Sequence, residues 1–227
     1  MSQLQILVEG QSEQSFVKNV LAPFLETQGV YTRATIILTK RGSGGRDHRG
    51  GVLAWKQILE NLNPLLENTS AWVTTLLDFY GLPEDVPGYA DAFKLGDPVR
   101  QVEALEERMR NELQQHPRFI PFLTLHEFEA WLFSAPEVAA KHFGKSSMKT
   151  EMEKVVKKAG GVELINHGVN THPKARLREM TRNKYKETSD GPTLAQKIGL
   201  KKIRDECPHF SGWVQTLENL GKCASAT

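Results

Sequence analysis

Short apolar runs that end in a carboxylate punctuate the first half of this chain. Ile6 to Val8 runs into Glu9 and Gly10, Trp72 to Leu77 into Asp78, and Phe119 to Leu125 into His126, Glu127 and Glu129. Runs this short, alternating with helical patterns, predict buried strands of a parallel sheet. Phe16, Val17, Val20, Leu21, Phe24 and Leu25 fall on one face of a helix. Ser12 is its expected N-cap and Gly29 its stop. Tyr31 to Leu38 alternates β-branched residues and predicts a second strand. Helices are expected over 52–67 and, from the Asp97-Pro98 start, through to about 115. Strands three and four fall at 71–77 and 119–125. The order β-α-β-α-β-α-β predicts an α/β fold, a mainly parallel four-stranded sheet with crossover helices, over residues 1–135.

Strand signals fade beyond Ala135. Short helical stretches at 136–142, 148–159, 174–180, 193–198, 200–205 and 211–220 remain, punctuated by Gly160-Gly161, Gly191-Pro192 and Pro208. They predict a mostly helical appendage over 136–227, packed on the sheet domain. Charge sharpens the division. Residues 1–140 carry 12 Lys and Arg against 18 Asp and Glu, a net of −6, whereas residues 141–204 carry 16 against 6, a net of +10. A basic back on a chain whose total is only +2 reads either as a solvated helical face or as a footprint for nucleic acid.

No apolar run approaches the roughly 20 residues of a membrane span, so no membrane partner is expected. Glu9 interrupts the first apolar run, so no secretory leader is expected there. Cys207 and Cys223 are too few for a disulfide framework. A cytoplasmic location is the expectation.

Open α/β sheets build their sites at the carboxyl ends of the strands. Glu9, Asp78 and Glu127 or Glu129 are therefore expected to form one acidic cluster. Oxygen-only donors suit a hard divalent cation, Mg²⁺ or Mn²⁺. Glu13 either reaches the same site from the first helical turn or caps that helix. If strand four continues through Phe128, Glu127 and Glu129 share a face; if a helix starts there, they diverge. The Gly-rich segment 40–51 carries Lys40, Arg41, Arg46 and Arg49 but no Gly-x-x-x-x-Gly-Lys-Ser/Thr pattern. These four, with Lys157, Lys158, Lys174, Arg176 and Arg178, are the expected nucleic-acid contacts.

Leu7-Val-Glu-Gly-Gln-Ser-Glu13, Leu77-Asp-Phe-Tyr-Gly81 and Glu127-x-Glu129 resemble the Toprim fold of topoisomerases, primases and overcoming-lysogenisation-defect nucleases. The chain is similar to the Toprim-like domain-of-unknown-function family 4276. That likeness rests on the opening Val8-Glu-Gly-x-Ser-Glu13 and on the tail Tyr185-Lys-x-Thr-x-x-Gly191-Pro, Ile198-Gly-Leu200, Cys207-Pro-His-Phe and Trp213. The resemblance implies a Toprim-type nuclease, with Glu9 and Asp78 as catalytic and metal-holding residues. Tyr80 stands where that motif's second aspartate belongs, and Glu127 or Glu129 is expected to replace it. The resemblance also implies nucleic acid as substrate, DNA ahead of RNA, and a separate ATPase partner in a mobile-element or phage-defence setting. The alternative is a non-catalytic nucleic-acid-binding or regulatory subunit.

Overall fold

The structure is a computed structural model that describes residues 1–37, 54–67, 70–165, 168 and 170–223. The basic residues Lys40, Arg41, Arg46 and Arg49 lie outside the described residues. Strand β1 (Ser2–Val8) sits inside a parallel sheet between β2 (Val30–Ile36) and β3 (Ala71–Asp78). On its far side β3 pairs in parallel with β4 (Phe119–Ile120) and β5 (Leu123–Thr124). The fold is thus α/β with a mainly parallel sheet. The chain leaves β1 toward β2 and then crosses to β3 on the opposite side, so the order reverses between β1 and β3. That is the crevice where open α/β sheets take ligands.

The expected single strand over 119–125 is two short ladders. Pro121 lies between them and has no N–H to donate. The Thr75 hydroxyl fills the gap, accepting from the Phe122 N–H at 2.9 Å and donating to the Phe122 carbonyl at 2.8 Å.

The first crossover is α1 (Gln11–Phe16), continuing through a π-helical stretch, Val17–Leu21, into α2 (Ala22–Thr27). Ser12 lies inside α1 rather than capping it; Gly10 holds the cap position, and the Glu13 carboxylate accepts from its N–H at 3.0 Å. The second crossover is α3 (Trp55–Leu66), and the third contains α4 (Tyr89–Ala92) and α5 (Pro98–Glu112). After β5, among the described residues, come a 3₁₀ helix, Phe128–Ser134, and six α-helices. These are α6 (Pro136–His142), α7 (Ser147–Ala159), α8 (Pro173–Met180), α9 (Glu187–Ile198), α10 (Leu200–Glu206) and α11 (Pro208–Cys223).

Alternation along the strands divides the core. Leu4, Ile6 and Val8 face one way, against Phe16, Trp131, Phe210 and Leu217, while Leu7, Val73 and Leu77 face the other, against Ile58, Leu62, Val102 and Leu105. The helices after residue 135 therefore close one face of the sheet within the same apolar cluster as β1. Trp213 of α11 stacks on Phe122 at 4.3 Å and donates its indole N–H to Thr74 at 2.9 Å.

Gly191 and Pro192, expected as a break, lie within α9. A Cβ on Gly191 would stand 2.9 Å from the Tyr185 hydroxyl, so glycine lets the helix close on that side chain. At Gly221 a Cβ would meet the Gln28 carbonyl oxygen at 1.8 Å. Gly221→Ala must push α11 away from the turn before β2, at an expected cost of about 1–3 kcal/mol in urea unfolding. An unchanged midpoint would show that this contact yields freely.

A candidate acidic site at the carboxyl edge of the sheet

Glu9 follows the last residue of β1 and Asp78 ends β3, so the two meet across the strand-order reversal. The Asp78 N–H points at Glu9 Oε2, 3.5 Å away. Asp78 shares its strand face with Thr74 and Leu76, the face covered by the C-terminal helices. Its Oδ1 accepts from the Phe128 N–H at 3.0 Å, which pins the start of the 3₁₀ helix to the strand end. His126, in the left-handed region at φ 64°, turns the chain there, and its carbonyl accepts from the Tyr80 N–H at 2.8 Å.

A helix does start after Glu127, yet Glu127 and Glu129 both reach α8. Glu127 Oε1 accepts from the Lys174 N–H and lies 3.0 Å from His172 Nδ1. Glu129 Oε1 accepts from the Tyr185 hydroxyl at 3.1 Å, and its Oε2 is 3.8 Å from Lys174 Nζ. The same ammonium donates to Glu187 at 3.1 Å. Glu187 is tied back to α1, where the Ser12 hydroxyl donates to its carbonyl at 3.1 Å. The site thus joins four sequence regions, around residues 9–13, 78, 127–129 and 172–187.

Its electrostatics follow from crowding acids away from water. Burial first, then Glu9, Glu13, Glu127 and Glu129, push the Asp78 carboxyl well above the usual carboxylate range. Burial lifts Glu13 to about 7, with Glu9 and Glu187 adding to it. Burial lifts Glu129 to about 8 despite Lys174. Burial alone would lower Lys174, but Glu129, Glu127, Glu187 and Asp78 hold its ammonium above its ordinary value. The ion pair therefore looks strong from the lysine and weak from Glu129. The lysine's direction governs, because one cation is shared among several acids and cannot offset each of them. Glu9 is also raised, chiefly by surrounding protein atoms. By surface area, however, the residue is exposed, and water there tempers the shift.

Buried Glu127 and Glu129 are engaged by protein donors, while Glu9 and half-buried Asp78 face outward. Among the described residues no group of three or more Asp, Glu, His or Cys side chains stands ready-made to hold a metal ion. The oxygen donors of Glu9 and Asp78 nonetheless suit a hard cation of the kind that takes one or two carboxylates and completes its shell with water and phosphate oxygens.

The expected nucleic-acid contacts divide. Lys174 belongs to the acidic cluster rather than to an outer face, with its side chain 20% exposed. Arg176 donates to the Thr171 carbonyl at 2.5 Å, and exposed Arg178 lies 3.7 Å from Glu187. Lys157 and Lys158 are exposed at the end of α7, where Lys157 borders a separate cavity with Glu153, Lys202 and Glu206. Sequence reasoning missed His172 and Glu187 as members of the site. Tyr185 and Gly191 stand in the tail pattern, which was their signal.

Among the described residues no helix is long and apolar enough to cross a membrane. No curated protein and no solved structure matches the chain. A family model does, Domain of unknown function (DUF4276), over residues 8–218, and the chain belongs to that family.

Proposed function

We propose that the protein carries out divalent-metal-dependent phosphodiester chemistry on nucleic acid, as a Toprim-type nuclease working with a separate ATPase. The observation that supports this reading is the meeting of Glu9 and Asp78 at the strand-order reversal, outward-facing and backed by buried acids. Glu9 would correspond to the Toprim glutamate and Asp78 to the first aspartate of its second motif. A bound Mg²⁺ or Mn²⁺ would supply neutralisation of the scissile phosphate and a more acidic attacking water. Glu9, raised above its ordinary value, is suited to take the proton of that water and return it to the leaving oxygen. Asp78, held by the Phe128 N–H, keeps the other donor oxygen in position. Glu127 and Glu129 hold α8 in place, and Arg176 and Arg178 on that helix would contact the flanking backbone.

One observation favours a second reading, a non-catalytic nucleic-acid-binding or regulatory subunit. The Lys174 ammonium already supplies positive charge to the cluster. Cleavage assays with Mg²⁺ and Mn²⁺, on single- and double-stranded DNA and RNA, with and without any ATPase encoded beside the gene, separate the two. Glu9→Gln should reduce cleavage to background while binding persists. Cleavage that survives Glu9→Gln discards the site. Binding without cleavage under every condition makes the second reading the better one.

A further inference from the structure

Tyr80 is 42% exposed, one of few large apolar side chains left open among the described residues. Its ring lies nearly parallel to that of His172, 15° between planes and 5.1 Å between centroids. The Tyr80 main chain and the His172 ring are anchored. The Tyr80 N–H donates to the His126 carbonyl, and His172 Nδ1 is 3.0 Å from the buried Glu127 carboxylate. Tyr80 also walls a cavity of about 560 Å³ with Leu82, Pro83 and Tyr89, and Glu84 and Asp85 line it too. Asp85 is pinned by the Trp55 N–H at 2.9 Å, which fixes that loop. The cavity adjoins the acidic site, since a Cβ on Gly81 would stand 3.6 Å from Glu9 Oε1.

We infer that Tyr80, braced by His172, is a stacking platform for an unpaired nucleobase, so that the site takes single strands rather than duplex. The inference rests on the nucleic-acid reading above and names its substrate class. An acidic lining repels phosphate but accepts the amino protons of a base edge. A flat, immobilised aromatic offers its face to any base, whereas a base inside a duplex has both faces covered by its neighbours. The cavity is within the usual size of small-ligand sites. A base seated there leaves its phosphate beside Glu9.

The test is binding of octanucleotides carrying one 2-aminopurine, as DNA and as RNA, with Ca²⁺ present so that strands stay intact. The same strand with an abasic site, and a blunt duplex of the same sequence, complete the set. Tyr80→Ala should weaken single-strand binding about tenfold and abolish the quenching of 2-aminopurine. Tyr80→Phe should restore both, and the abasic strand should bind wild type and Tyr80→Ala alike. The tighter of the DNA and RNA arms identifies the strand. Because Tyr80 is exposed, an unchanged thermal midpoint confirms that Tyr80→Ala is folded. Intact binding that is indifferent to Tyr80, or equal losses on strand and duplex, overturns the platform alone. Absence of binding to every probe at low salt overturns the nucleic-acid reading with it.

Discussion

Lys174→Ala loses about 3–5 kcal/mol of stability at about pH 9, above the value of about 8 to which burial lifts Glu129, the usual cost of stripping the partner from buried charge. Glu129 is buried, and the Lys174 ammonium is its cationic neighbour, at 3.8 Å. Glu187 loses its 3.1 Å contact at the same time. The Lys174 N–H still serves Glu127 in the variant, because it belongs to the backbone. Lys174→Met keeps the apolar stem and should lose nearly as much, which assigns the effect to charge rather than packing. Below about pH 8 the loss shrinks, since Glu129 takes up a proton and no longer needs the cation. Adding Glu129→Gln to Lys174→Ala should recover part of the loss, a coupling that a double-mutant cycle reads directly. Urea midpoints at mildly alkaline and acidic pH give these numbers. A Lys174→Ala protein as stable as wild type at about pH 9 would mean the ammonium does not hold the cluster together.

The second large effect is a fall in stability of the metal-free protein as pH rises from about 4.5 to 8. In the fold Glu13 titrates near 7, Glu129 near 8 and Asp78 well above its ordinary value, burial being the first cause of each. The unfolded chain gives these protons up near 4.5 for Glu and 3.8 for Asp. Over this window the folded state binds more protons than the unfolded one, so stability declines with pH. The contribution is fully present below the unfolded values and is lost through the folded ones. Each fully shifted group contributes a slope of about 1.4 kcal/mol per pH unit, with half-buried Asp78 giving less. Lys174, raised rather than lowered, adds no opposing slope here. Thermal midpoints between acidic and mildly alkaline pH should therefore slope downward, and Mn²⁺ should raise them most at the alkaline end, where the carboxylates are ionised. Glu9→Gln with Asp78→Asn should remove the Mn²⁺ gain and Asp78's share of the slope, leaving the share of Glu13 and Glu129. A level profile, or an undiminished Mn²⁺ gain in that variant, would contradict the assignment.

Much of this was local enough to read from the chain. A short apolar run before a carboxylate and a glycine is a buried parallel strand with a charge at its end, and that pattern located β1 with Glu9 and β3 with Asp78. Residues two apart on a strand share a face, so the core residues of these strands followed as well. Where the pattern misled, a backbone hydrogen bond or a close approach was decisive. Pro121 divides the fourth strand because it has no N–H for the ladder. Gly191-Pro192 lies within a helix, and glycine stands there where a Cβ would meet the Tyr185 hydroxyl at 2.9 Å. The basic character of the C-terminal half was plain as a count, but not where each cation goes. Lys174 lies 45 residues beyond Glu129 in the chain, and only packing α8 against the 3₁₀ helix brings them together. The succession of strands and helices along the chain is written in near neighbours in the sequence. The partners of a buried charge are chosen by the whole core, because burial makes every distant carboxylate count.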